Sequence, residues 1–154
     1  MSEKKRVLVT GLSGVVGTAI RTEFQNRYEL SSLSRYGTKG IDEEHNFKGN
    51  IAEIETLLPA FRDQHTIVHL AADRSATAEW ESALRNNFIG TYNVFEGARQ
   101  NGVKRIAYPS RAGVLGLYPR NQTRHMEMTT TPVGIYTVSK VFAEALAHSY
   151  VHQH

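Results

Sequence analysis

The sequence predicts an α/β domain, a doubly wound parallel sheet of about five strands with helices on both faces. Three observations predict it. Short β-branched runs alternate with stretches of helical periodicity, the pattern of strand–helix–strand crossovers. The first run, "RVLVT", reads as a strand buried on both faces rather than one. A glycine-rich turn, "GLSGVVG", follows it directly and opens a helix. The length of 154 residues fits one domain with room for a core.

The elements follow in order. After the strand Arg6–Thr10, residues Val16, Ile20 and Phe24 recur at i, i+4 and i+8, the stripe of an amphipathic helix. Residues 28–34 form the second strand candidate, and 45–47 a weak third. The connection between them is short for a helix crossover, so a loop replaces that helix. Ile54, Leu57, Leu58 and Phe61 suggest a helix. "TIVHLAA", residues 66–72, is the fourth strand candidate. Leu84, Phe88, Val94, Phe95 and Ala98 mark a long helix ending near Asn101-Gly102, a helix stop signal. "RIAYP", residues 105–109, is the fifth strand candidate. A loop rich in Gly, Pro and Thr runs to about Pro132, and a last helix starts near Ile135.

Composition excludes several function classes. The chain has no cysteine, so disulfides and thiolate catalysis are ruled out. The net charge is only +3, and no basic run exceeds Lys4-Lys5-Arg6, which argues against a nucleic-acid partner. The run Val7-Leu8-Val9 is too short for a signal-peptide core or a membrane span. The expectation is a cytoplasmic protein with no membrane partner. His148, His152 and His154 could chelate a metal, but they read as frayed terminal histidines, so no metal site is expected.

Gly11, Gly14 and Gly17 form G-x-x-G-x-x-G between strand and helix. Gly11 allows the tight turn, Gly14 lets backbone approach a pyrophosphate, and Gly17 lets helix and strand pack closely. Ser13, Val15 and Val16 complete a turn whose helix N-terminus points free N–H groups at an anion. The predicted ligand is a dinucleotide. A carboxylate at the end of the second strand, about 20 residues past the glycines, selects NAD by binding the ribose 2′-hydroxyl. Here the chain reads Ser34-Arg35-Tyr36 instead. A guanidinium beside a hydroxyl suits a 2′-phosphate, so NADP is favoured over NAD. The alternative is a solvated arginine after a strand.

Tyr136 and Lys140 stand at i and i+4 and share a helix face. A free tyrosine, with a pKa of about 10, is a poor base at neutral pH. A neighbouring ammonium stabilises its phenolate. Such a tyrosine can exchange a proton with a substrate oxygen while hydride moves to or from nicotinamide. Y-x-x-x-K alone is common by chance and gains weight from the glycine turn in the same domain.

Taken together, "TGLSGVVG", "VHLAA", "NNFIGTYNVFEGARQNGVKRI", "GVLGLYP" and "YTVSK" resemble the extended short-chain dehydrogenase/reductase superfamily, the NAD-dependent epimerase/dehydratase family. "GVLGLYP" is most similar to its uronate and sugar dehydrogenase branch. The resemblance implies a Rossmann-type sheet and a sugar-like small-molecule substrate. It implies that Asn50 and Ile51 lie against adenine, with Asn50 in place of the usual aspartate. It also implies that Leu70, Ala71 and Ala72 line the cofactor and that Asn87 supports that site or its proton relay. Tyr136 is then the acid/base, and Lys140 also binds the nicotinamide ribose. Ser75 lies where related enzymes contact substrate.

Two departures stand out. The family's catalytic serine or threonine falls on Arg111, and Ser110 lies one residue early. On a strand that shift turns the side chain to the opposite face. Ser110 serves as the catalytic hydroxyl only if the chain bulges locally, and Arg111 could instead donate to a substrate carbonyl. Family members also continue past the Y-x-x-x-K helix into a substrate domain. Residues 1–154 therefore read as the NAD(P)-binding domain of a longer protein lacking its C-terminal substrate domain, with a natural minimal protein as the alternative. The last helix, exposed on its apolar face, predicts a homo-oligomer. The leading function is hydride transfer at a sugar hydroxyl or carbonyl. A binding module without turnover and a nucleotide-sugar epimerase are the rivals.

Overall fold

Five strands, all parallel, form one sheet in the computed structural model, which describes residues 4–75 and 77–154. They are β1 (Arg6–Thr10), β2 (Glu29–Ser34), β3 (Asn46–Lys48), β4 (Thr66–His69) and β5 (Arg105–Ala107), in the order β3-β2-β1-β4-β5. This is the doubly wound, Rossmann-like sheet that the alternating pattern predicts. Its order reverses between β1 and β4, and there the C-terminal strand ends open a crevice for a ligand.

Strand alternation builds two cores. Val7 and Val9 of β1 point to one face, with Leu30 and Val68, and helix α1 (Val15–Phe24) covers them through Ile20 and Phe24. Leu8, Leu33 and Ile67 point to the other face. There they meet Leu57 and Phe61 beside and within helix α2 (Leu58–Phe61), and Val94 and Ala98 of α4 (Gly90–Gln100). Each fully buried aliphatic or aromatic side chain of this kind contributes roughly 1.5–3 kcal/mol.

Several elements differ from the sequence pattern. β4 stops at His69, three residues before the end of "TIVHLAA". Thr10 takes over the pairing there: its carbonyl accepts Leu70 N–H at 3.1 Å, and its side-chain oxygen accepts Ala71 N–H at 3.2 Å. β5 is shortened in turn, because its last partner on β4 is Val68, opposite Ala107. The expected helix over 54–61 is a single 3₁₀ turn, Ile54–Thr56, followed by the four-residue α2 with a proline at its start. The long helix is one rod in three parts: α3 (Trp80–Ala83), a π-helical stretch (Leu84–Ile89) and α4. It ends at Asn101, and Gly102 (φ 65°) turns the chain.

Helix α5 (Ile135–Gln153) starts where expected, after Gly134. It packs on the long rod through Phe142 on Phe88 (5.2 Å between ring centroids) and Tyr150 on Phe95 (5.5 Å). His148 and His152 lie within the helix, their rings stacked at 5.2 Å. Among the described residues, no cluster of three His, Cys, Asp or Glu could hold a metal, and no helix is long and apolar enough to cross a membrane.

Candidate active site

A cleft of about 700 Å³ runs along the C-terminal strand ends. At its centre lies the glycine turn. Gly11 adopts φ 75°, and a Cβ there would sit 2.8 Å from the backbone nitrogen of Ala71. Gly14 N–H closes the turn on the Gly11 carbonyl at 3.0 Å. A Cβ on Gly17 would run into the carbonyl group of Leu12. Helix α1 has no side-chain cap and no acid in its first turn, so its N-terminal N–H groups are left for an anion. Ser13, Gly14, Val15, Val16 and Gly17 all line the cleft. Val15 and Val16 are exposed there, 75% and 55%, and supply an apolar floor.

One end of the cleft is built by β2. Ser34, Arg35 and Tyr36 line it, joined by Leu33 and Gly37, which no motif in the sequence marks. The Ser34 hydroxyl oxygen is buried without a hydrogen-bond partner. Arg35 forms no ion pair among the described residues, and its guanidinium lies 5.7 Å from the Tyr36 ring. No carboxylate from β2 lines this end. Asn50 and Ile51 form the adjoining wall. The Asn50 side chain accepts Ala52 N–H at 3.1 Å and donates to Glu53 at 2.7 Å, and Asn93 holds the Ile51 carbonyl at 2.9 Å. An uncapped helix start over glycines, an orphaned hydroxyl and an unpaired guanidinium together fit a dinucleotide phosphate chain.

The middle wall is Leu70, Ala71 and Ala72, continued by Asp73, Arg74, Ser82 and Asn86. Ser82 and Asn86, which no motif in the sequence marks, are four apart on one helical face. Ser82 donates to Asp73 at 2.5 Å, and this bond, with Ser75 N–H, holds the Asp73 carboxyl below its ordinary range. Asn87 does not line the cleft. It is buried behind the wall, where its amide accepts Asp73 N–H at 2.8 Å and donates to the Asp73 carbonyl at 2.9 Å. The π-helical stretch places Asn86 in the wall and Asn87 behind it. Ser75 is exposed and outside the cleft wall.

The other end of the cleft holds Tyr136, Lys140, Pro109 and Ser110. Lys140 is buried and donates to the Pro109 carbonyl at 3.0 Å. Its Nζ lies 4.2 Å from the Tyr108 ring centroid and 5.4 Å from that of Tyr136. Burial, and secondly the charge of Arg111, lower the lysine to about 8. Burial pushes Tyr108 up to about 12. Ser110 does reach the cleft, but its hydroxyl donates to the Glu144 carboxylate, one turn beyond Lys140. Arg111 stays outside the cleft wall, its guanidinium 5.2 Å from the Tyr136 ring centroid.

The chain and its fold are similar to known proteins. The family model described as "NAD dependent epimerase/dehydratase family" matches residues 7–154. Uronate dehydrogenase of Agrobacterium fabrum is 34% identical over 95% of this chain and 56% of its own. L-arabinose 1-dehydrogenase (NAD(P)(+)) of Haloferax volcanii is 29% identical over 97% of this chain and 62% of its own. A crystal structure of a uronate dehydrogenase mutant from Agrobacterium tumefaciens, complexed with NAD, superposes with a TM-score of 0.89. It is 29% identical, over 97% of this chain and 57% of that one. The chain thus spans between half and two thirds of the length of these relatives. With the fold, the glycine turn and the tyrosine–lysine pair in place, this chain belongs to the NAD dependent epimerase/dehydratase family.

Proposed function

We propose that residues 1–154 act as an NADP-binding domain whose Tyr136 serves proton transfer during oxidation or reduction of a sugar-like substrate. The observation that carries this reading is one continuous cleft joining the glycine turn to Tyr136 and Lys140. Gly11, Gly14 and the start of α1 would hold the pyrophosphate. Arg35 and the unpartnered Ser34 hydroxyl would take the 2′-phosphate, and Asn50 and Ile51 would flank the adenine. Leu70, Ala71 and Ala72 would back the cofactor toward its nicotinamide, which supplies the hydride acceptor or donor.

The protein's own part is proton management. Lys140 places its charge near the Tyr136 ring, and the Tyr136 hydroxyl can exchange a proton with a substrate oxygen. In reduction the phenol returns that proton. Ser110 keeps a polar oxygen at the same end of the cleft, and Arg111 offers donors only. Tyr136→Phe is expected to lower turnover of a sugar substrate by a factor of about 100 or more, while calorimetric cofactor affinity stays unchanged. Undiminished turnover would refute the assignment.

A second reading is a dinucleotide-binding module without turnover. Arg111 beside Tyr136, and a Ser110 proton committed to Glu144, favour it. Tight cofactor binding with no change in nicotinamide absorbance across a panel of sugars and uronates would select it.

A further inference from the structure

His69 is fully buried at the end of β4, behind the cleft rather than in it, and takes no part in the reaction described above. Its Nδ1 lies 2.7 Å from the Thr10 hydroxyl oxygen, and its Nε2 lies 3.4 Å from that of Thr91. The Thr10 oxygen also receives Ala71 N–H at 3.2 Å. A hydroxyl carries one proton and two lone pairs. With Ala71 as donor, every group here is used if Thr10 gives its proton to an unprotonated Nδ1 while Nε2–H points at Thr91. Burial, and secondly the Lys140 charge, hold the imidazole neutral, as this requires.

We propose that His69 is a positioning residue for cofactor binding: by taking the Thr10 proton it fixes the Thr10 oxygen as acceptor for Ala71 N–H and so sets the cleft wall over Gly11. The wall position is critical at this point, because Gly11 and the Ala71 nitrogen approach closely enough to exclude a Cβ. Leu70 N–H is tied to the Thr10 carbonyl at 3.1 Å, so one threonine steers two successive wall residues, the second through its side chain. A fully buried histidine without a relay role would otherwise be an expensive way to fill space.

The inference rests on the cofactor reading, and two measurements separate them. Asn places an acceptor oxygen near the position of Nδ1, and Phe fills the volume without one. Amide hydrogen exchange at Ala71, read by NMR on the cofactor-free chain, should quicken about tenfold in His69→Phe and Thr10→Val. It should stay near the parent rate in His69→Asn and Thr10→Ser. Calorimetric Kd for NADP should rise roughly tenfold in His69→Phe and Thr10→Val, and not further in the double variant. Melting temperature and circular dichroism identify any variant that fails to fold, and Thr10→Val then stands in for His69→Phe. Equal Ala71 exchange in the Asn and Phe variants, or equal loss of affinity in both, would overturn the positioning role. Intact Ala71 coupling in a parent chain that binds neither NADP nor NAD would overturn the cofactor reading and with it this inference.

Discussion

Arg35 is the residue on which the proposed preference for NADP turns. It stands at the end of β2 beside an unpartnered hydroxyl, with no ion pair among the described residues. Replacing a guanidinium that binds a phosphate removes a charge-assisted pair worth several-fold to a hundredfold in affinity. Arg35→Ala is expected to weaken NADP by about tenfold or more and leave NAD within about twofold. Equal loss of both in a calorimetric titration would show that Arg35 does not read the 2′-phosphate. The glycines make a second prediction. Gly17→Ala forces a Cβ into the Leu12 carbonyl group, backbone that cannot yield cheaply. It should lower unfolding stability by roughly 1–3 kcal/mol in a urea titration. These glycines were legible in the sequence because their spacing is local. The Ser110–Glu144 bond was not, since its partners are 34 positions apart and no pattern links them. His69 was equally hidden. "VHL" marks a strand, and only the fold brings Thr10 and Thr91 to the two ring nitrogens.

Most elements could be read from their periodicity, and their ends could not. β4 ends before the apolar run "TIVHLAA" does, at the point where Thr10 draws the chain off the ladder. The π-helical stretch left no trace in the pattern, yet it sets which of Asn86 and Asn87 faces the cleft. The docking of α5 was likewise out of reach. Its C-terminal half is clamped to α4 through Glu96, which accepts the Tyr150 hydroxyl at 3.0 Å, Arg99 at 2.7 Å and Gln100 at 3.0 Å. These donors, Arg99 foremost, hold the Glu96 carboxyl down at about 2. Tyr150→Phe should cost about 1 kcal/mol in urea unfolding, the net worth of one hydrogen bond. No change would mean that the clamp is carried by the Tyr150–Phe95 ring contact alone.

At the scale of the whole molecule, sheet order and cleft follow from the strand–turn–helix pattern, and the acid response follows from burial. His69 is lowered from 6.5 to about 3, mainly by burial. Between those values the unfolded chain holds a proton that the folded chain does not. Stability is therefore fully present above about 6.5 and falls as pH drops toward 3, by roughly 1 kcal/mol per pH unit. Glu96, lowered from 4.5 to about 2, adds its loss only below about 4.5. The stability curve of His69→Asn should be flatter between pH 6.5 and 4.5, measured by urea unfolding at each pH. A parallel curve would remove His69 as the cause.

The cleft itself carries the central claim, that this fold is a working dinucleotide site with a preference for the 2′-phosphate. Its most direct test is a calorimetric titration of the purified 154-residue chain with NADP and then NAD. The account predicts saturable binding of both at one site, with NADP clearly the tighter. Tighter NAD would contradict the role of Ser34 and Arg35, and binding of neither would contradict the cleft as a cofactor site.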